Sequence, residues 1–430
     1  MQRPHDPPTT ADVDVQVPAA VIRRFHEVVW LSSWRVVAPV GVACTTAAGA
    51  LVLRATRAFR RGSAGTTAPS AMLPIGAAAG LLGAAVALVA NALAGYVPTA
   101  SAGLRLGTHG FRRARHESTE LQPRHPMSRT GRRTALLHGP PSRGTVYTVT
   151  VPGDLDLQVP PSTAWVYLPP GVEAASVVRY PAIYLIHGTP GTSADWFAAA
   201  LVDRAMDVLL HAHLVRPMIL VSIDANGGPS KDTECLNWRD GPQIESWLYR
   251  KVIPFVDRTL PTIADRSARG LGGMSMGGFC ALDQGLRHLD TWGLSLVFEG
   301  YGDPGSAGPA ALGDDPDVIA AHTPSSYLPS LPLPLRLPVY LDVGERTADV
   351  GAVRGLARQL ADRGQTVYFR IARGHGHSWA EVRDGLPYAL TFASTHLRGT
   401  PPVPGETGPA SEPLTTAAGE RGSDRPPAAR

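Results

Sequence analysis

The hydrophobic positions of the chain fall into two kinds of pattern. Near the N-terminus, two long runs carry no charge and cover residues 36–53 and 71–98. Each is about long enough to cross a bilayer core, which needs roughly 20 apolar residues. The second run is the more apolar, because the first is rich in Ala and Thr. We predict two transmembrane helices, with a buried helical hairpin or an uncleaved export signal as the alternatives.

Arginines indicate how such a hairpin would be oriented. The connector 54–70 contains four arginines and no acidic residue: Arg54, Arg57, Arg60 and Arg61. Positive charge close to a span favours the cytoplasmic side. Arginines also precede the first run and follow the second, but the connector is the denser group. We therefore predict that both termini lie outside the cytoplasm.

The remainder of the chain has a different pattern of hydrophobic and polar positions. From residue 143 to 397, short apolar runs alternate with helical stretches. Six of the runs are predicted strands of a mostly parallel sheet covered on both faces, and two earlier runs close together suggest an antiparallel start. The predicted strands are 146–151, 164–168, 182–187, 218–224, 269–274, 294–298, 338–343 and 366–371. The predicted helices are 195–212, 243–259, 276–289, 350–363 and 380–396.

Four other segments lack this alternation. Residues 1–35 are predicted as an N-terminal tail, 99–142 as an Arg- and Pro-rich linker, and 398–430 as a disordered tail. Within the α/β region, residues 302–336 are rich in Pro, Gly and Asp. That segment is either a cap that faces the substrate or a surface excursion.

The composition of the chain argues against nucleic-acid binding, against cysteine-based zinc or redox motifs and against a metal site. The net charge of +4 is small for 430 residues, and no basic stripe is interleaved with aromatic residues, so nucleic-acid binding is not predicted. The three cysteines form no Cys-x-x-Cys pair, which excludes a zinc ribbon or a thioredoxin-type motif. His375 and His377 could face one way, but no third ligand is evident, so we predict no metal site.

One glycine-rich stretch is a candidate for catalysis. Residues 273–277 read Gly-Met-Ser-Met-Gly, the pattern of a nucleophile elbow, in which a serine occupies a sharp turn between a strand and a helix. The flanking glycines leave room for that turn. A serine needs a base, and a carboxylate behind the base holds its tautomer. We expect the N–H groups of Met276 and Thr189 to stabilise the oxyanion.

Suitable partners follow other predicted strands. Glu345 and Asp349 come after strand 338–343, and Gly374-His-Gly-His377-Ser-Trp379 comes after the last strand. Because the carboxyl ends of parallel strands share one edge, these groups should meet there. The chain order Ser, acid, His is that of an α/β-hydrolase.

Three stretches resemble the putative-esterase family, which groups esterase D-type and feruloyl esterases with mycobacterial mycolyltransferases. Residues 180–196 resemble its strand and oxyanion loop, and Gly376-His377-Ser-Trp379 fits its Gly-His-x-Trp. Asp232-Thr-Glu-Cys235 and the elbow resemble its exported actinobacterial branch. The resemblance covers roughly 145–397. It implies Ser275 as nucleophile, His377 as base, acyl-ester chemistry and no cofactor.

For the acid, the sequence leaves three candidates open. By the resemblance it should occupy the position of Thr347, which cannot serve. Asp349 reaches the same loop with a two-residue lengthening and ranks first. Glu345 ranks second, and Glu299, at the end of the preceding strand, ranks third. Asp342 lies inside its strand and is predicted to be structural.

Cys235 and Cys280 could form a disulfide that braces the elbow outside the cell, or could remain two buried thiols.

The function hypothesis is a membrane-anchored serine esterase with its catalytic domain outside the cytoplasm, acting on acyl esters such as lipids or cell-envelope glycolipids. One alternative is an acyltransferase that moves the acyl group to a sugar hydroxyl. The other is a non-catalytic envelope binding module on the same fold.

Overall fold

The computed structural model describes residues 15–60, 68–104, 143–228 and 231–399. Its centre is an eight-stranded sheet with the order β1-β2-β4-β3-β5-β6-β7-β8. β1 and β2 are antiparallel to each other, β2 is antiparallel to β4, and every later pair is parallel. The strands are β1 Thr145–Val151, β2 Ser162–Leu168, β3 Ala182–Ile186, β4 Ile219–Ile223, β5 Arg269–Met274, β6 Leu294–Phe298, β7 Val339–Gly344 and β8 Val367–Ala372.

The strands from β3 to β7 are buried along their whole length, as expected when helices cover both faces of a parallel sheet. The helices include α1 Ala19–His26, α2 Trp34–Arg60, α3 Ala68–Ala94, α4 Asp195–Ala198, α5 Val202–His211, α6 Ile244–Trp247, α7 Ile253–Thr259, α8 Met276–Arg287, α9 Ala307–Leu312, α10 Pro316–Ala320, α11 Pro324–Tyr327, α12 Val350–Asp362 and α13 Trp379–His396. The predicted fold class, an α/β-hydrolase sheet preceded by two apolar helices, is confirmed.

Two apolar layers enclose the sheet. One contains Trp247, Leu282 and Leu360 and therefore includes α6, α8 and α12. The other contains Met206 of α5 and Leu390 of α13. Because both layers are continuous, the strands and their crossover helices form one core.

Several boundaries differ from the sequence-based expectation. The predicted helix 195–212 is two helices, since Leu201 between them adopts a left-handed backbone with φ 57°. The predicted helix 243–259 contains a wide π-helical turn, Leu248–Val252. The segment 302–336 holds three short helices, α9 to α11.

The N-terminal part is more structured than the expected tail and linker. Residues 19–26 form α1, because Phe25 is buried in the same apolar layer as α5 and α13. The two apolar helices extend from 34 to 60 and from 68 to 94, against the expected 36–53 and 71–98. The expected tails at 1–14 and 400–430, and the linker from 105 to 142, lie outside the described residues.

Candidate active site

The turn at Ser275 has the backbone geometry of a nucleophile elbow. Ser275 sits between β5 and α8 with φ 59° and ψ −118°, a region that L-residues rarely adopt. A Cβ at Gly273 would lie 1.9 Å from the Gly277 carbonyl oxygen, and one at Gly277 would lie 2.3 Å from that of Ile186. Only glycine fits at these two positions, because strand and helix approach so closely there.

The groups expected to hold the oxyanion lie next to this turn. Met276 is the first residue of α8, so its N–H has no intrahelical acceptor. The loop after β3 approaches from the other side, since a Cβ at Gly188 would lie 3.2 Å from the Cβ of Ser275. Thr189 follows directly in that loop. Gly188, at the start of this loop, therefore lies beside the nucleophile, and the roles of Met276 and Thr189 as oxyanion donors stay predictions.

His377 lies in the loop between β8 and α13, and its side chain is 44% exposed. The carboxylate beside it is Glu299: the distance from His377 Nδ1 to Glu299 Oε2 is 3.5 Å. Glu299 follows β6 with a left-handed backbone, φ 49°, and its side chain is fully buried. The candidate ranked third in the sequence is therefore the one that the fold brings to the histidine.

Two neighbouring groups hold the Glu299 carboxylate in place. The Gly344 N–H donates to Oε1 at 2.8 Å, and the Thr347 hydroxyl donates to Oε2 at 2.8 Å. Thr347 occupies the position from which the family resemblance expects the acid. Here it supplies a hydroxyl that orients a carboxylate from the preceding strand.

The other two candidate acids are placed differently. Glu345 is exposed and accepts a hydrogen bond from the Gly374 N–H at 2.9 Å. Asp349 is exposed at the N-terminal end of α12 and lines a cavity of about 460 Å³ together with Glu234 and Tyr301. Within the described ranges, neither carboxylate contacts His377. Neither Ser275 nor His377 lines that cavity.

Asp342 is buried, as expected for a structural residue of its strand. It accepts hydrogen bonds from the Tyr340 hydroxyl at 2.7 Å and from the Arg370 guanidinium at 2.8 and 2.9 Å. His187 is also buried and structural. Burial disfavours its charged form, but the Asp224 carboxylate outweighs burial and raises the pKa of His187.

The two cysteines near the elbow are bonded. Cys235 and Cys280 form a disulfide with Cα atoms 5.6 Å apart, linking the loop after β4 to α8. Among the described residues, no group of three or more His, Cys, Asp or Glu side chains could hold a metal ion.

Sequence reasoning missed the contacts made by Asp195. This buried carboxylate accepts hydrogen bonds from the Thr192 N–H at 3.1 Å and from the Tyr96 hydroxyl at 2.7 Å. Tyr96 follows the second apolar helix, 99 residues earlier in the chain. No sequence signal pairs Asp195 with Tyr96.

Comparison with known proteins identifies the family and agrees with the fold. Residues 161–393 match the model of the family described as Putative esterase. A ferulic acid esterase structure, 23% identical, superposes over 59% of this chain and 100% of its own with a TM-score of 0.51. An S-formylglutathione hydrolase from Agrobacterium tumefaciens, 17% identical, covers 60% of this chain and 97% of its own with a TM-score of 0.50.

Curated relatives match shorter segments. An uncharacterized protein of Corynebacterium glutamicum is 26% identical over 170 residues, which is 38% of this chain and 40% of that protein. An endo-1,4-beta-xylanase/feruloyl esterase of Xylanibacter ruminicola is 31% identical over 121 residues, 27% of this chain and 16% of that protein. The matched segments thus span less than half of either relative. Because the family model covers more than half of the chain, including the elbow and the histidine loop, the protein belongs to the putative-esterase family of α/β-hydrolases.

Proposed function

We propose that this protein is a membrane-anchored serine hydrolase that cleaves carboxylic acyl esters with Ser275, His377 and Glu299. The observation that carries the proposal is the buried Glu299 carboxylate, 3.5 Å from His377 Nδ1, on the same sheet edge as a serine held in an elbow. A carboxylate on one ring nitrogen fixes the tautomer that leaves the other nitrogen free to accept a proton.

The proposed reaction assigns one role to each of these groups. His377 Nε2 removes the proton from Ser275 Oγ as Oγ attacks the acyl carbonyl carbon. The N–H groups of Met276 and Thr189 stabilise the negative oxygen of the tetrahedral intermediate. Its collapse expels the alcohol, which takes the proton from His377. Water then repeats the sequence on the acyl-enzyme and releases the acid.

The membrane part of the proposal rests on α2 and α3. Trp34–Arg57 and Leu73–Ala94 have mean hydropathies of 2.0 and 2.1, and only 11% of each apolar window is buried. Their exposed side chains include Val42, Leu73 and Val86. A hairpin buried inside a soluble core would hide these residues, whereas a bilayer would cover them.

Placement of the catalytic domain outside the cytoplasm has two supports. The arginines of the connector between α2 and α3 favour a cytoplasmic connector, and the Cys235–Cys280 disulfide is typical of oxidising compartments. Both ends of the hairpin would then lie on the side of the hydrolase domain.

A fluorophosphonate probe tests the nucleophile in the full-length protein in detergent. We expect the wild type and a Ser326→Ala control to be labelled and to hydrolyse a p-nitrophenyl ester, and Ser275→Ala to do neither. Ser326 is exposed, outside the proposed triad. A folded wild type that is not labelled, or equal labelling of Ser275→Ala, would rule out the serine hydrolase and leave a binding module. Acyl product on an added sugar would identify the transferase.

A further inference from the structure

The two apolar helices are joined to the hydrolase domain by a set of polar contacts at their shared end. We call residues 24–33, before α2, and 95–99, after α3, the collar. Within the collar, the Trp30 and Leu31 N–H groups donate to the Pro98 carbonyl oxygen at 3.1 and 3.0 Å. Asn91, in the last turn of α3, donates to the Leu31 carbonyl oxygen at 3.2 Å and accepts from the Val97 N–H at 2.7 Å. These bonds hold the two chain segments together.

Two arginines of the hydrolase domain donate hydrogen bonds to the collar. Arg383 of α13 is 1% exposed, and its guanidinium donates to the Gly95 carbonyl oxygen of the collar and to that of Ala199 in the domain. Burial lowers the pKa of Arg383 to about 9. Arg204 of α5 donates to the Phe25 carbonyl oxygen at 3.0 Å, and the Phe25 ring is fully buried. The collar is therefore docked on the domain by contacts independent of residues 105–142.

One of the docking contacts reaches the oxyanion loop. The Tyr96 hydroxyl donates to Asp195 Oδ1 at 2.7 Å, and Asp195 Oδ2 accepts from the Thr192 N–H at 3.1 Å. The loop is folded tightly around this carboxylate, since a Cβ at Gly191 would lie 2.6 Å from Asp195 Oδ2.

The same loop continues to the nucleophile. Gly188 lies at the near end, where an added Cβ would be 3.2 Å from that of Ser275. The Thr192 hydroxyl also donates to Asp195 Oδ1, at 3.2 Å, so the Tyr96 bond is the shorter of the two on that oxygen. Loss of the Tyr96 donor therefore weakens the hold on this buried carboxylate. Tyr96 thus supports, through Asp195, the backbone from which the second oxyanion donor comes.

We propose that Tyr96 is a positioning residue for the oxyanion loop, so that the hairpin which anchors the protein also forms part of the support of its active site. This proposal rests on the esterase function proposed above. Tyr96 does not touch the reacting atoms; it acts on the loop geometry through Asp195.

The test compares two matched tyrosines in the full-length protein in detergent, with a soluble p-nitrophenyl ester as the substrate. In Tyr96→Phe we expect kcat to fall about tenfold with KM within about twofold, a smaller loss than the ~100-fold typical of a deleted oxyanion donor. Tyr167→Phe is the control. Its hydroxyl makes an equivalent bond to Asp207, at 2.8 Å, away from the oxyanion loop. We expect that variant to lose thermal stability but to keep kcat.

A double-variant cycle with Asp195→Asn tests the route. If Tyr96 acts through Asp195, the combined variant has a kcat no lower than Asp195→Asn alone. Independent, multiplicative losses would overturn the proposal, as would a Tyr96→Phe kcat within twofold of the wild type, or an equal kcat loss in Tyr167→Phe. If Tyr96→Phe does not fold, Asp195→Asn decides: lower kcat at constant KM supports the proposal, and unchanged kcat overturns it.

Failure of this proposal and failure of the esterase function give different results. A wild type that lacks Ser275-dependent labelling refutes the function itself. A wild type that is labelled and active, with Tyr96→Phe equally active, refutes only the role of Tyr96.

Discussion

At the scale of residues, the pair Glu299 and Thr347 explains how the site could contain an acid although a threonine occupies the position at which the family resemblance expects one. The Thr347 hydroxyl and the Gly344 N–H both point at the Glu299 carboxylate, which arrives from the end of β6 instead of β7. The two strands are adjacent and parallel, so their carboxyl ends lie side by side. A carboxylate from either strand can therefore face a histidine after β8.

This arrangement predicts the effect of removing each candidate acid. Glu299→Gln should lower kcat by about 10⁴, because an amide does not hold the required histidine tautomer. Asp349→Asn and Glu345→Gln serve as matched controls and should stay within about threefold of the wild type. Steady-state ester hydrolysis measures all three variants, with thermal unfolding to verify folding. If kcat fell 10⁴-fold in Asp349→Asn and stayed nearly normal in Glu299→Gln, the catalytic acid would be Asp349, in the loop after β7.

Glu234, in the loop after β4, has an unusually high pKa for a glutamate. Burial raises its pKa from the ordinary 4.5 to about 9, although the Tyr301 hydroxyl, 2.6 Å away, partly opposes the shift. Between these two pH values the folded state retains a proton that the unfolded chain has lost. The free energy of unfolding contributed by this group therefore decreases as pH rises, by at most about 1.4 kcal/mol per pH unit.

The corresponding variant should change how stability depends on pH. Glu234→Gln carries no titrating group, so its melting temperature should fall less between pH 5 and pH 8 than that of the wild type. The exposed Asp303, which borders the same cavity, provides the control variant Asp303→Asn. Thermal unfolding at both pH values measures the difference. Parallel pH profiles for wild type and Glu234→Gln would show that Glu234 ionises normally.

At the scale of elements, the disulfide ties the nucleophile helix α8 to the loop after β4. It joins positions 45 residues apart, and closing a loop of that length in the unfolded chain corresponds to about 4 kcal/mol in the chain-entropy model. Because Cys280 lies in the second turn of α8, the bond also restrains the helix that begins at the elbow.

Removal of this bond gives a stability prediction. A Cys235→Ser, Cys280→Ser double variant should lose a few kcal/mol of unfolding free energy, measured by urea denaturation in detergent. Cys44→Ser, which removes the free cysteine of α2, should leave it unchanged. Dithiothreitol should lower the stability of wild type and Cys44→Ser only. If the reductant lowers the stability of the double variant equally, the stabilisation does not come from the disulfide.

At the scale of the whole molecule, the collar leaves little freedom between hairpin and hydrolase domain. The α3 helix ends at Ala94, and the next two residues already contact Arg383 and Asp195. A chain advances at most about 3.6 Å per residue, so the docking surface lies within roughly 10 Å of the helix end. If α3 spans a bilayer, the domain therefore sits directly on the membrane surface.

The proposed orientation, with the arginine-rich connector in the cytoplasm, predicts the result of reporter fusions. Alkaline phosphatase fused after the C-terminus should be active, since that enzyme requires an oxidising compartment, and green fluorescent protein at the same site should be dark after Sec-dependent export. A fusion of each reporter within the connector between α2 and α3 serves as the control and should show the reverse pattern. The opposite result at both sites would place the catalytic domain in the cytoplasm.

The sequence by itself determined the fold class and the position of the elbow. Alternation of apolar runs with helical stretches predicts a covered parallel sheet, because a strand buried on both faces must be apolar throughout. Gly273 marks the elbow for a local reason, since a Cβ there would lie 1.9 Å from the carbonyl oxygen of Gly277, four residues later. Such features depend on neighbours in the chain and can therefore be predicted from a single sequence.

Only the tertiary structure decided which carboxylate faces His377, that Cys235 and Cys280 are within bonding distance, and that Tyr96 reaches Asp195. Each of these contacts joins segments between 45 and 99 residues apart. Sequence spacing carries no information about such distances, because they are set by strand order and by how the collar packs on the sheet's covering helices. Asp349 was the nearer candidate along the chain, but Glu299 is the nearer one in space.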